Sequence, residues 1–440
     1  MQNSSQTEQS IPVTAELQYD GRSVTLPRID PSMGDQGIGI GRLRSETGMV
    51  SYDPGLANTA SCRSAITYLD GENGVLMHHG YAIEDLAQHC VFLEVALLLI
   101  TGTLPNREER SQFTRLMNKN SMLHEGMIQF FDNYPENSHP MAILSAMVVS
   151  LSSFYPEIAR PISEVPLDET VTNLLSKMRT IAAFSYKKSI GEPFVYPSHK
   201  LRYCENFLNM MFSSPVADYQ IDPVVETTLN RFLILHADHE QNASTTVVRS
   251  VGSSGTNLYA SIAAGISSLW GTLHGGANQA VIEMLEDIRD SGKRVRQIVE
   301  QAKDRSNPFR LMGFGHRVYK TYDPRARIAK QSCRELLNHL GIGRDPLLDI
   351  AVELEEAALA DDYFLEKKLY PNVDFYTGIT YRAMGIPTNM FTVMFALGRL
   401  PGWIAHWLEM RNDPEQRIVR PRQIYVGQKP RAFLPVKERG

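Results

Sequence analysis

The chain has 440 residues, 43% of them hydrophobic and 21% charged, with a formal net charge of -5. Its length exceeds a single hydrophobic core and allows roughly two or three domains. The near balance of charge excludes the basic field of a nucleic-acid or membrane-surface binder.

In chain order, the first ten residues, MQNSSQTEQS, lack the basic and apolar regions of a signal peptide and the arginines of a transit peptide. They read as a disordered leader over residues 1–10, and the chain as cytoplasmic. Residues 11–60 mix short apolar runs, such as Ser23-Val-Thr-Leu, with Gly and Pro, and predict a small β-rich unit. The GIGIG run from Gly37 to Gly41 has neither the strand-to-helix context nor the downstream G-K-[ST] of a nucleotide loop, so it reads as turns. From residue 82 the period becomes helical, with Ile83, Leu86 and Ala87 at i, i+3 and i+4, then Phe92, Val95, Ala96 and Leu99. The most continuous apolar stretch there, Val95 to Ile100, is far too short to cross a bilayer. Helices are predicted over 141–154, 170–186 (amphipathic), 223–236 with Val225, Leu229, Phe232 and Leu233 inward, 258–270, 278–290, 326–340, 346–361 and 389–398. After Trp407, Pro414, Pro421, Pro430 and Pro435 predict an extended arm that can reach a neighbouring subunit. The four cysteines, Cys62, Cys90, Cys204 and Cys333, form no C-x-x-C pair and read as buried thiols of a reducing compartment.

Four segments concentrate chemistry. HADHEQN, His236 to Asn242, ends a predicted helix; its H-x-D-H-E order could ligate a metal, although no H-E-x-x-H appears and no third histidine is placed by spacing. GTLHGGAN sets His274 among glycines ahead of a helix N-terminus, where an imidazole could steady an oxyanion or simply occupy a turn. MGFGHRVYKTYDPRA packs His316, Arg317, Lys320 and Arg325 behind glycines, donors suited to a small polyanion or to a solvated basic face. LYPNVDFYTG places Asp374 in apolar company, either as a helix cap or as a base whose charged form is disfavoured. Arg399, ahead of GWIAHW, and Arg420, opening RPRQ, are uninformative singly.

Taken in order, HADHEQN, GTLHGGAN, FGHRVYK…DPRA, YPNVDFY and GWIAHW…RPRQ resemble the signature segments of citrate synthases across nearly the whole chain. The N-terminal stretch with YDPGLANTASCRSAITYLDG resembles the longer bacterial form of that family, often hexameric. The resemblance implies a mainly α fold: a large helical domain over 61–274 and 386–440, a smaller helical domain inserted at 275–385, and the β-rich unit in front. It implies that Asp374 removes a methyl proton from acetyl-CoA, that His274 hydrogen-bonds the thioester oxygen, and that His316 polarises the oxaloacetate ketone. By the same resemblance, His239, Arg325, Arg399 and Arg420 hold oxaloacetate, Arg420 coming from a partner subunit, so that a homodimer is the smallest complete enzyme and a homohexamer the expected assembly. Lys320 and Asn372 match positions near CoA, and no metal or redox cofactor is implied. Where NADH-inhibited relatives carry Cys and Arg, this chain has Val216 and Asn173, although Tyr155 and Lys177 match; NADH control is therefore not expected. The alternatives are a 2-methylcitrate synthase acting on propionyl-CoA, a metal-dependent hydrolase built on HADHE, and a catalytically silent assembly protein.

Overall fold

The computed structural model describes residues 14–155, 169–304, 306, 309–342 and 345–439. The expected leader lies outside them. By its contacts the chain divides into two compact units, one running to Arg63 and resuming at Ile418, the other Ser64–Arg417.

In the first unit, Thr14–Tyr19 (β1) and Arg22–Ile29 (β2) pair antiparallel, with Tyr19 opposite Arg22 and Thr14 opposite Pro27. The turn between them is Asp20-Gly21, both at positive φ (46° and 71°), the pairing that a two-residue hairpin of right-handed twist demands. Gly37–Ile38 (β3) adds to β2. Two of the five residues of the GIGIG run, expected to be turn, are therefore edge strand, paired with Arg28 and Ile29. A short helix, Leu43–Thr47 (α1), follows and stops at Gly48, in the left-handed region at φ 77°. Beyond Ile418 the prolines leave a segment whose regular structure among the described residues is one 3-10 turn, Val436–Glu438. The sequence reading places 386–440 wholly in the large helical domain; the contacts group the part from Ile418 with the N-terminal unit instead.

The second unit opens with a sheet in a stretch for which no element was predicted: Thr67–Asp70 (β4), Val75–His78 (β5) and Tyr81–Ala82 (β6), all antiparallel. Then come Ile83–His89 (α2), Phe92–Thr101 (α3), Arg107–Lys119 (α4), Glu125–Asp132 (α5), Pro140–Phe154 (α6), Glu169–Ser189 (α7), Tyr203–Phe212 (α8), Pro223–Leu235 (α9), Ala243–Gly252 (α10) and Leu258–Leu269 (α11). Ala277–Ser291 (α12), Val295–Lys303 (α13), Pro324–His339 (α14), Pro346–Leu359 (α15), Asp362–Glu366 (α16), Asp374–Ala383 (α17) and Phe391–Asn412 (α18) complete it. The mainly α expectation holds. Three of these helices start on an Asp-Pro step, with Asp222, Asp323 and Asp345 each capping free backbone N–H groups ahead of a proline that needs none.

Two helices depart from their sequence signals. Helix α7, expected to be amphipathic, is buried on every face from Thr170 to Ser185, because α4, α6, α8 and α18 all pack on it. Its Lys177 ammonium is satisfied inside, donating to the carbonyls of Asn120 (2.6 Å) and Met122 (2.7 Å) and lying 4.4 Å over the Tyr155 ring. Helix α18, expected to end at residue 398, runs to Asn412 straight through Pro401. A proline inside a helix costs about 3 kcal/mol, and α18, buried from Phe391 to Leu408, recovers that through apolar packing. The Gly402 N–H bonds to the Ala237 carbonyl. Thus the helix interruption fastens α18 to the turn after α9.

Of the cysteines expected to be buried, Cys204 and Cys333 are; Cys62 and Cys90 are only half-buried. Among the described residues, no helix is long and apolar enough to cross a membrane.

Candidate active site

Helix α9 ends at His236, and the HADHE residues turn beneath α18. His236 Nδ1 pairs with the Phe232 carbonyl at 2.7 Å, and the Arg399 Nε–H donates to the His236 carbonyl at 2.7 Å. Asp238, fully buried, faces His406 Nε2 at 3.2 Å, and its carboxyl is held below the usual carboxylate range by His406 and Arg399 against the opposing effect of burial. His239 is buried with Nε2 3.3 Å from the Tyr319 hydroxyl. These side chains are engaged with separate partners, and among the described residues no group of three or more His, Cys, Asp or Glu is placed to hold a metal. Arg399, 1% exposed, lies 4.9 Å over the Phe395 ring, and burial lowers its pKa to about 10. Its Nη1 has no hydrogen-bond partner among the described residues. A buried guanidinium with an idle nitrogen is a prepared seat for a carboxylate.

His274 sits in the α11–α12 connection. Its Nε2 faces the Ser244 backbone N–H (3.3 Å) and the Ser244 hydroxyl (2.8 Å), and that hydroxyl in turn accepts from Trp403 Nε1 at 3.2 Å. A backbone N–H can only donate, so Nε2 is the acceptor and the proton of the neutral ring resides on Nδ1. Burial and then the nearby Arg399 lower the His274 pKa to about 4, which keeps the ring neutral.

His316 is fixed by the same logic in the opposite sense. Its Nδ1 accepts from the backbone N–H groups of Val318 (3.0 Å) and Tyr319 (3.1 Å), leaving Nε2–H as its donor. Burial and Arg325 bring its pKa to about 4. Its ring lies 5.2 Å from that of His239 and 4.8 Å from that of Tyr319, centroid to centroid.

The loop carrying His316 is laced to the one carrying Asp374. Gly315, at φ 80°, donates to the Tyr370 carbonyl at 2.7 Å, and Phe314 bridges Pro371. The Asn372 N–H reaches the Gly313 carbonyl (2.9 Å), its Nδ2 donates to the Gly315 carbonyl (3.0 Å), and its Oδ1 accepts the Asp374 N–H (3.0 Å). Asp374 is thereby the first residue of α17, not its cap. Its Oδ1 is sealed from solvent without a partner among the described residues. Burial pushes its carboxyl up to about 6, against the pull of Arg325 and Arg399.

Arg325 is clamped by Asp323, the cap of α14. One carboxylate oxygen accepts from the Arg325 N–H (2.9 Å) and Nε (3.1 Å); the other accepts from Nη2 (2.9 Å) and from the Val373 N–H (3.2 Å). Although burial opposes its charge, this pairing holds the guanidinium pKa above its ordinary value. Lys320 donates its backbone N–H to the Gly71 carbonyl (2.8 Å) and its ammonium to the Arg317 carbonyl (3.1 Å). A Cβ at Gly71 would overlap the Val318 carbonyl, so that loop approaches β4–β5 as only glycine allows.

Six of the residues expected in a site are thus gathered: Arg399 lies within electrostatic reach of His239, His274 and Asp374, and Arg325 within that of His239, His316 and Asp374. Asn372 and Lys320 border the same loops. Arg420 is exposed in the other compact unit. Three contributors went unassigned in the sequence. Asp323 carried a legible signal, since Asp before Pro at the start of a helical run is a cap; Ser244 and Tyr319 carried none.

Comparison with known proteins identifies the family. Residues 55–422 match the family model described as "Citrate synthase, C-terminal domain". Citrate synthase 1 of Mycobacterium tuberculosis is 53% identical over 426 residues, covering 97% of this chain and 99% of that protein. A citrate synthase from Thermoplasma acidophilum, solved as a ternary complex with carboxymethyl coenzyme A and oxaloacetate, superposes with a TM-score of 0.80 at 31% identity, covering 88% of this chain and all of that one. The Pyrobaculum aerophilum enzyme gives 0.78 at 34% identity, covering 99% of this chain and 100% of its own.

Proposed function

The chain belongs to the citrate synthase family and condenses acetyl-CoA with oxaloacetate to citrate and CoA; on that premise we propose that Asp374 is the base, with His274 and His316 as its two neutral partners. Asp374 takes a proton from the acetyl methyl while His274 Nδ1–H bonds the thioester oxygen, so that the enolate meets a donor as it forms. The enolate carbon attacks the oxaloacetate ketone, and His316 Nε2–H bonds and then protonates the new alkoxide. Water hydrolyses the citryl thioester, releasing citrate and CoA. Donors for both oxyanions come from the chain itself, so the reading calls for no metal or redox cofactor.

His239, Arg325 and Arg399 hold the oxaloacetate carboxylates, and Arg420 completes the grip from a partner subunit, which makes a homodimer the smallest competent unit within a homohexamer. Lys320 and Asn372 stand near the CoA. The exposure of Arg420 supports a role at a subunit boundary. The two buried thiols support a reducing, cytoplasmic setting.

One observation carries the base assignment: Asp374 Oδ1 is buried, without a partner among the described residues, and within electrostatic reach of two arginines. Thiol release should require both acetyl-CoA and oxaloacetate, and Asp374→Ala and His274→Ala should abolish it while leaving oxaloacetate binding largely intact. Near-normal turnover by either variant would overturn the roles. Propionyl-CoA in a parallel arm tests the 2-methylcitrate alternative, since one methylene discriminates by only about 10- to 200-fold in an apolar pocket.

A further inference from the structure

Glu355, in the C-terminal half of α15 and only 2% exposed, takes no part in the site described above. Its Oε1 accepts from the Tyr322 hydroxyl at 2.6 Å, and its Oε2 from the Lys330 ammonium at 2.5 Å and from the Tyr376 hydroxyl. A buried carboxylate is expensive unless its lone pairs are filled, and this one is filled by three donors from the α14 and α17 segments. Tyr322 immediately precedes Asp323, the residue that clamps Arg325. Lys330 lies further along α14. Tyr376 is two residues beyond Asp374, in the first turn of α17.

The α14 and α17 helices also pack together through apolar side chains, but apolar contact is non-directional and tolerates small rotations and slides. Directional bonds set the fine register. Asp323 supplies one such link through the Val373 N–H, on the backbone side of α17. Glu355 supplies another, through side chains on the buried side.

We propose that Glu355 is a positioning residue for condensation: by holding Tyr322, Lys330 and Tyr376 on one carboxylate, it fixes the first turn of α17, and so Asp374, relative to the segment that carries Arg325. The inference rests on Asp374 being the base. It extends that reading to a residue outside the site described above.

The test uses Tyr376→Phe, Tyr322→Phe and Glu355→Gln in the full-length protein. Calorimetric titration with oxaloacetate counts competent sites, so that turnover is expressed per folded site. A misplacement of about 1 Å at a reacting group can lower rate on the order of 100-fold. Tyr376→Phe should therefore lower kcat per site about 10- to 100-fold, with the KM for oxaloacetate within about threefold. Its isotope effect with methyl-deuterated acetyl-CoA should equal or exceed that of the parent, because proton removal is the step impaired. Tyr322→Phe should act mainly on the KM for oxaloacetate. Should Glu355→Gln fail to fold, the two Phe variants carry the test, since they keep the Glu355–Lys330 pair. An unchanged kcat per competent site in Tyr376→Phe, or a fall in kcat accompanied by a smaller isotope effect, overturns the proposal. Failure of the base assignment shows separately, as near-normal turnover by Asp374→Ala.

Discussion

Replacing Asp374 by Asn exchanges a carboxyl that burial holds near 6 for a neutral amide of the same shape. In the unfolded chain the carboxyl titrates at its ordinary value, 3.8. As pH rises from there to about 6, the unfolded chain gives up its proton while the folded chain keeps it. Stability of the parent therefore falls with rising pH across that window and is level above it. The full penalty at pH 7 is about 3 kcal/mol, and at pH 4.5 only about 1 kcal/mol. The Asn variant escapes it. For a chain of 440 residues, an unfolding entropy of about 2.1 cal/mol/K per residue turns about 3 kcal/mol into about 3 °C of melting temperature. Asp374→Asn should thus be inactive and yet melt about 3 °C higher than the parent at pH 7.5, the gap shrinking to about 1 °C at pH 4.5. Differential scanning calorimetry at matched protein concentration reads this directly. A variant no more stable than the parent at pH 7.5, or a gap indifferent to pH, would refute the claim that burial raises the carboxyl's pKa.

Three further outcomes follow from the same geometry. Because the base must be ionised and both histidines stay neutral above about pH 4, kcat/KM for acetyl-CoA should rise with pH around a midpoint near 6; at pH 5 it should be about tenfold below its plateau, and a midpoint below 4.5 would contradict the assignment. Ser244→Ala removes the hydroxyl facing His274 Nε2 but keeps the backbone N–H that sets the tautomer, so kcat should drop about fivefold, the worth of about 1 kcal/mol, with the oxaloacetate KM unmoved; an unaltered kcat argues that the hydroxyl is idle. If Arg420 is donated across subunits, exchanging Asp374→Ala with Arg420→Ala chains should restore about a quarter of parental activity, since half of random dimers are mixed and each has one intact site; no recovery after verified exchange would place Arg420 in its own subunit's site.

The sequence made the helical elements legible where they end on strong signals. The predicted ranges 141–154, 223–236, 258–270, 326–340 and 346–361 match α6, α9, α11, α14 and α15 to within a few residues. What failed is instructive. The α7 period was read correctly but its exposure was not, because polar residues such as Lys177 mark a solvent face only when no neighbouring carbonyls are offered inside. The end of α18 was misplaced because a proline's local cost is visible in sequence and the burial that offsets it is not. The β4–β6 sheet was overlooked although Asp70 to Gly74 is rich in turn residues, since its strands are short. In the site, loop histidines beside glycine were conspicuous, but their tautomers depend on backbone donors brought from α10 and from the His316 loop itself.

Asp374 and Arg399 are the instructive pair. Each is buried, each has an atom without a partner, and each lies within electrostatic reach of the other. A direct ion pair between them would satisfy both and stabilise the fold, yet it would also depress the pKa of the carboxyl and remove the base. The two do not pair among the described residues, and each is tethered elsewhere. Arg399 is held by Nε on the His236 carbonyl, and Asp374 is anchored by its own N–H to Asn372 at the head of α17. What remains is an anion seat and a proton acceptor that the protein leaves unfilled, at a cost of about 3 kcal/mol for Asp374 alone. A substrate carboxylate satisfies the first and a methyl proton the second. Stability forgone at this point is therefore what makes the carboxylate a competent base.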